Sequence, residues 1–103
     1  MIRHCVFVRF KPATTPAVRQ AIYDDLEGLR SKLRGMGVVN AGANVSPEGM
    51  GKGFDAGFTI DFSDAAARDA YLVDPDHQAI GARIVAAAQG GTEGILVFDL
   101  AFG

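Results

Sequence analysis

The chain has 103 residues, 49% of them hydrophobic and 21% charged, which is the length of one domain, since separate hydrophobic cores form only above about 250 residues. Ten Lys and Arg against 12 Asp and Glu leave a formal charge of -2 with no basic cluster, which argues against nucleic acid and anionic membrane as partners. Cys5 is the single cysteine and excludes an internal disulfide, and no apolar run approaches the ~20 residues of a membrane helix.

From Ile2 to Phe10, β-branched and aromatic residues alternate with polar ones. This opening reads as a strand rather than a leader peptide, so a cytoplasmic protein is expected. Parity puts Ile2, His4, Val6, Val8 and Phe10 on one face and Arg3, Cys5, Phe7 and Arg9 on the other. Thr15-Pro16 supplies an N-cap hydroxyl and a first-turn proline, and Val18, Ile22, Leu26, Leu29 and Leu33 follow at steps of three and four. A long amphipathic helix is predicted, ended by Gly35 and Gly37, with Arg19, Asp24, Glu27, Arg30 and Arg34 as a solvated face.

Residues 38–45 read as a weak strand and 46–53 as a mobile Gly-rich loop. A clear strand follows over 54–62, with Phe54, Ala56, Phe58, Ile60 and Phe62 on its buried face. Ser63-Asp64 caps a short helix reaching Tyr71, and Asp74-Pro75 opens another in which His77, Ile80, Ile84 and Ala88 align. Gly90-Gly91 stops that helix. A last strand is predicted over 93–102, with Ile95, Val97 and Asp99 on one side and Leu96, Phe98 and Leu100 on the other.

The order strand, helix, strand, strand, helix pair, strand is that of an α+β ferredoxin-like sandwich, a four-stranded antiparallel sheet with its helices on one face. The other sheet face stays bare. For so small a domain the remedy is a homodimer formed through that open sheet face.

The two histidines both fall on apolar faces, His4 on the first strand and His77 on the last helix. Packing helices on sheet brings the imidazoles together in a poorly hydrated space suited to moving protons, with Tyr71 near enough to hold an oxygen. The plainer alternatives are two core histidines bonded to carbonyls and a tyrosine packed with its hydroxyl at the rim. Val6, Val8, Phe58, Ile80 and Ile84 form the apolar wall expected to bind the rest of a substrate. Cys5 points to the face opposite His4, which disfavours a Cys-His nucleophilic pair. Nothing in the spacing of His4, His77 and Asp76 demands a metal. The run Gly49-Met50-Gly51-Lys52-Gly53 lacks the Ser or Thr of a phosphate loop and leads into a strand.

His4 in an opening strand, Asn44 and Ser46 before the Gly-rich loop, Gly53-Phe54-Asp55-Ala56-Gly57 leading to Asp61-Phe62, and Tyr71-Leu72-Val73-Asp74-Pro75-Asp76-His77 together form a pattern. It resembles the Dabb family, the stress-responsive dimeric α/β-barrel domain, over nearly the whole chain. The resemblance implies two four-stranded sheets packed into a dimeric barrel, with a pocket between sheet and helices in each protomer. The family includes a plant polyketide cyclase that performs an intramolecular aldol condensation; its catalytic Tyr and His match Tyr71 and His77, a supporting His matches His4, and Asp99 matches a further polar position. By that likeness His77 removes a proton next to a ketone, Tyr71 holds the enolate, His4 tunes the base and Asp99 fixes a tautomer. Asp74 stands where the family more commonly has His before the proline, so the substrate is expected to differ.

Two functional classes follow. One is an acid-base enzyme for enolisation or aldol-type cyclisation of a small hydrophobic, ketone-bearing ligand, needing no cofactor and no metal. The other is a non-catalytic, stress-responsive scaffold that binds a hydrophobic metabolite.

Overall fold

In the computed structural model, which describes residues 1–103, the N-terminal alternating run forms β1 (Ile2–Val8), a strand paired on both sides. It stops two residues before the sequence pattern does, because Lys11-Pro12 turns the chain and leaves Phe10 only an isolated bridge to Ala88. Thr15 then caps α1 (Pro16–Gly28), its hydroxyl accepting the Val18 N–H at 3.2 Å. The helix is shorter than its apolar stripe suggests: at Gly28, a poor helix former, it tightens into a 3₁₀ turn over Leu29–Ser31. Ile22, Leu26 and Leu29 from this stripe are buried, while Val18, at the open end, is exposed.

β2 (Met36–Ala43) and β3 (Ala56–Phe62) follow, then α2 (Ala65–Val73), α3 (Pro75–Ala87), a 3₁₀ turn over Gly91–Gly94, and β4 (Ile95–Ala101). β2 begins earlier than its sequence suggests and carries a bulge between Met36 and Val39. The α1 carboxylate of Glu27 accepts the Val39 N–H at 2.8 Å, satisfying a donor that the bulge removes from the ladder. The Gly-rich connection before β3 is built of turns rather than being shapeless. Asn44 Nδ2 donates to the Phe54 carbonyl, and the Arg9 guanidinium lies 4.6 Å over the Phe54 ring, so Phe54 leaves the strand it was expected to start.

The four strands form one antiparallel sheet in the order β2-β3-β1-β4, and the fold is ferredoxin-like. Register places His4 beside Ile60 on one flank and Asp99 on the other. All three therefore face the helices. Val6, Val8, Phe58, Ile60 and Phe62 pack there against α1, α2 and α3. The opposite face keeps Phe7, Leu96, Phe98 and Leu100 exposed. Gly57 lies on this side, where a Cβ would sit 2.6 Å from the Val6 carbonyl oxygen. No helix is long and apolar enough to cross a membrane.

Leu26 has no exposed surface, so Leu26→Ala should cost about 2–5 kcal/mol in urea unfolding at fixed protein concentration. A loss well under 1 kcal/mol would mean that α1 does not anchor this core.

Candidate functional site

His4 is only 4% exposed and comes from the doubly paired strand β1. Asp99, its register partner on β4, takes its Nδ1 at 2.7 Å. An ionised carboxylate can only accept, so Nδ1 carries the proton and Nε2 is the uncommitted ring nitrogen. The second Asp99 oxygen accepts from Arg68 of α2 at 2.7 Å. Burial alone would push the Asp99 carboxyl up, but the hydrogen bonds from Arg68 and His4 outweigh it and hold the group below its ordinary value.

Tyr71 follows Arg68 by one helical turn and shares its side of α2. Its side chain has no exposed surface. The ring packs edge-on to His4 at 5.6 Å between centroids, tilts against Phe62 at 5.1 Å and overlaps His77 at 3.9 Å. The hydroxyl is buried without a hydrogen-bond partner. Burial pushes the phenol up, so Tyr71 is a proton donor at neutral pH and not a base.

His77 stands in the first turn of α3. Asp74, between the two helices, caps that turn by accepting the His77 N–H at 3.0 Å. Lys32 bridges Asp74 and Asp76, tying the start of α3 to the segment after α1. The His77 ring is half-buried; its enclosed Nδ1 meets no group in good hydrogen-bond geometry, although the Leu72 carbonyl stands close enough to favour the protonated ring. Burial lowers the imidazole pKa; the Leu72 carbonyl pulls it back, and the proximity of His4 lowers it further. A neutral imidazole beside a protonated phenol can take a proton from carbon while the phenol supports an oxygen.

His4, Tyr71, His77 and Asp99 thus form one connected cluster, although the imidazoles are joined through Tyr71 rather than meeting ring to ring. Val97, on the same face of β4 as Asp99, is 56% exposed. The helix layer therefore stops short of this edge of the sheet. Val6, Val8, Phe58, Ile80 and Ile84 are different: at no more than 6% exposure they are closed into the core, and the wall expected to line a pocket is packed interior.

The larger concavity lies on the other side of the sheet. It encloses about 700 Å³ between Phe7, Asn40, Thr59 and Leu96 of the sheet and Asn44, Met50 and Phe54 of the connection before β3. A shallower one of about 170 Å³ sits at Arg19, Tyr23 and Gly42. Neither touches His4, Tyr71 or His77. Cys5 is on the open face, away from His4, and Asp76 is engaged by Lys32. No group of three or more His, Cys, Asp or Glu side chains is arranged to hold a metal ion. Arg68 and Lys32 were not singled out in the sequence, where helix-borne charges look solvated. The one available hint was Arg68 standing a single turn before Tyr71.

The family description "Stress responsive A/B Barrel Domain" (Dabb) matches residues 2–102. Among solved structures, a dimeric ferredoxin-like protein of unknown function from Jannaschia sp. CCS1 is 33% identical, with 98% of each chain covered and a TM-score of 0.90. A Dabb family protein with a ferredoxin-like fold from Mesorhizobium loti is 28% identical over 99% of this chain and 97% of that one, with a TM-score of 0.71. The hydroxynitrile lyase of Passiflora edulis is similar in fold, at 21% identity over 99% of this chain and 93% of that one, with a TM-score of 0.82. No curated protein matches the chain.

The His77 shift sets a sign for stability. Its pKa is lower folded than unfolded, so the neutral imidazole favours the fold. That contribution is full above the unfolded value and is lost as pH falls through the folded one. Urea midpoints followed downward from about pH 6.5 should therefore fall more steeply for the wild type than for His77→Gln. Parallel curves would place the ring in an ordinary solvated setting.

Proposed function

Because the chain belongs to the stress-responsive A/B barrel domain family, we propose that it is a homodimeric small-molecule enzyme whose His77, Tyr71, His4 and Asp99 perform acid-base chemistry on a ketone-bearing, polyketide-like ligand. The observation that carries this reading is the buried, partnerless Tyr71 Oη on a ring 3.9 Å from that of His77. A hydroxyl so placed needs a partner, and a ligand carbonyl supplies one, with its acidic C–H set beside the His77 ring.

Neutral His77 takes the proton from the carbon beside the ketone. The C–H electron pair becomes the enolate double bond, and the carbonyl oxygen takes up the charge under a hydrogen bond from Tyr71. The enolate carbon then attacks a second carbonyl of the same chain, and the new alkoxide recovers a proton from His77. Aldol-type ring closure results, and no net proton or electron is consumed. His4, tethered to Asp99, lies against Tyr71 and sets the electrostatics around His77. The lyase of like fold indicates that this scaffold can carry an enzyme, while fold alone does not select the reaction.

A second reading, a non-catalytic binder or scaffold for a hydrophobic metabolite, is favoured by one observation. The closed Val6, Val8, Phe58, Ile80 and Ile84 core leaves the larger groove on the far side of the sheet. Either protein would pair through the open sheet face, where Phe7, Leu96, Phe98 and Leu100 are exposed. A cytoplasmic location fits both.

In D₂O with an enolisable β-diketone, NMR should detect exchange of the α-carbon protons. His77→Ala and Tyr71→Phe should each slow it by about 10²-fold or more. Unchanged rates in folded variants would remove both residues from the chemistry and leave the scaffold. Separately, Phe98→Asp should shift the sedimentation coefficient to that of a monomer; a persistent dimer would move the interface off this face.

A further inference from the structure

We propose that Arg68 is a positioning residue that fixes the tautomer of His4 by occupying the outer oxygen of Asp99. The proposal deepens the acid-base reading and takes its catalytic meaning from it, while the hydrogen-bond claim stands on its own geometry.

Arg68 Nη1 lies 2.7 Å from Asp99 Oδ2, and Asp99 Oδ1 lies 2.7 Å from His4 Nδ1. The chain runs inward: the Arg68 side chain is 23% exposed, Asp99 24% and His4 5%. Arg68 also sends Nε to the exposed Asp69 at 2.8 Å, so its planar fork is held between two carboxylates, a task that the single ammonium of lysine performs poorly. A solvated ion pair would count for little, but this one ends on a buried imidazole.

The consequence concerns where protons reside. With Arg68 in place both Asp99 oxygens accept, so the group stays a carboxylate and His4 must donate from Nδ1. Without Arg68, Asp99 loses the donor that most offsets its burial. Freed of that donor, the carboxylate no longer sits fixed against Nδ1, the hydrogen bond loosens, and the single ring proton can move to Nε2, which reverses the polarity of His4 toward Tyr71 and His77. The groups acting on Asp99 are Arg68 and His4. Arg68 is therefore the one permanent positive charge that holds this carboxylate in place. It reaches the site because α2 delivers it one turn before Tyr71.

The test needs no substrate. With two histidines in the chain, ¹⁵N-imidazole spectra are readily assigned using His77→Gln, and the ¹³C carboxyl signal of Asp99 can be titrated alongside. The wild type should show His4 protonated at Nδ1. Arg68→Met should raise the Asp99 titration midpoint and shift His4 toward the Nε2–H form, and Arg68→Lys should partly restore both. A folded Arg68→Met protein with unchanged His4 tautomer and Asp99 midpoint overturns the proposal. Should Arg68→Met fail to fold, Arg68→Lys decides: a midpoint above the wild type supports the role, and an identical one overturns it. Wild-type protein that shows the expected tautomer yet exchanges no ketone protons would instead sink the enzymatic reading and leave the role of Arg68 intact.

Discussion

Tyr71 has no exposed surface, and its hydroxyl finds no partner within the protein. Leaving a buried hydroxyl unpaired costs about 1–3 kcal/mol. The surroundings nonetheless hold it in place: Phe62 and His4 bracket the ring from the sheet, and His77 closes over it from α3. The two short helices meet at Asp74, which ends one and caps the next. Tyr71 and His77 are thereby carried to the same point from opposite sides of a single turn. A buried Tyr71 hydroxyl left without a partner beside His77 is a poor design for a core and a reasonable one for a binding site.

The sheet divides the labour of the molecule. Its helix side carries the titratable cluster, buried and anchored by the Arg68–Asp99–His4 chain. Its other side carries Phe7, Leu96, Phe98 and Leu100 in water, above a groove roofed by the connection before β3. Alternation along β1 and β4 enforces the division, since each residue offered to one face is withdrawn from the other. The same register that seats His4 beside Asp99 also exposes the apolar residues of the opposite face.

Local signals in the chain carried much of this. Thr15-Pro16 and Asp74-Pro75 start helices where the structure has them, and the parity of Ile2–Val8 puts His4 with Val6 and Val8. Alternation sets Asp99 opposite Leu96, Phe98 and Leu100, but only its register beside His4 shows that its side faces the helices. What stayed hidden depends on pairing between distant segments. Arg68 and Lys32 have the periodicity of solvated helix charges, and only the fold reveals that they reach Asp99 and Asp74. The bulge in β2 is likewise invisible until Glu27 is seen capping Val39. The expected substrate wall of Val6, Val8, Phe58, Ile80 and Ile84 is buried in this structure. Hydrophobic alternation marks burial, and burial alone does not distinguish a closed core from a pocket lining.

The central claim is that the space bounded by Tyr71 and His77 receives a ligand oxygen. A crystal structure with a stable enol, a mimic of the enolate, tests it most directly. The account predicts the enol oxygen at about 2.7 Å from Tyr71 Oη, a normal O–H···O distance, with the adjacent carbon facing the His77 ring. Enol density confined to the groove on the open sheet face, with Tyr71 and His77 undisturbed, would contradict it.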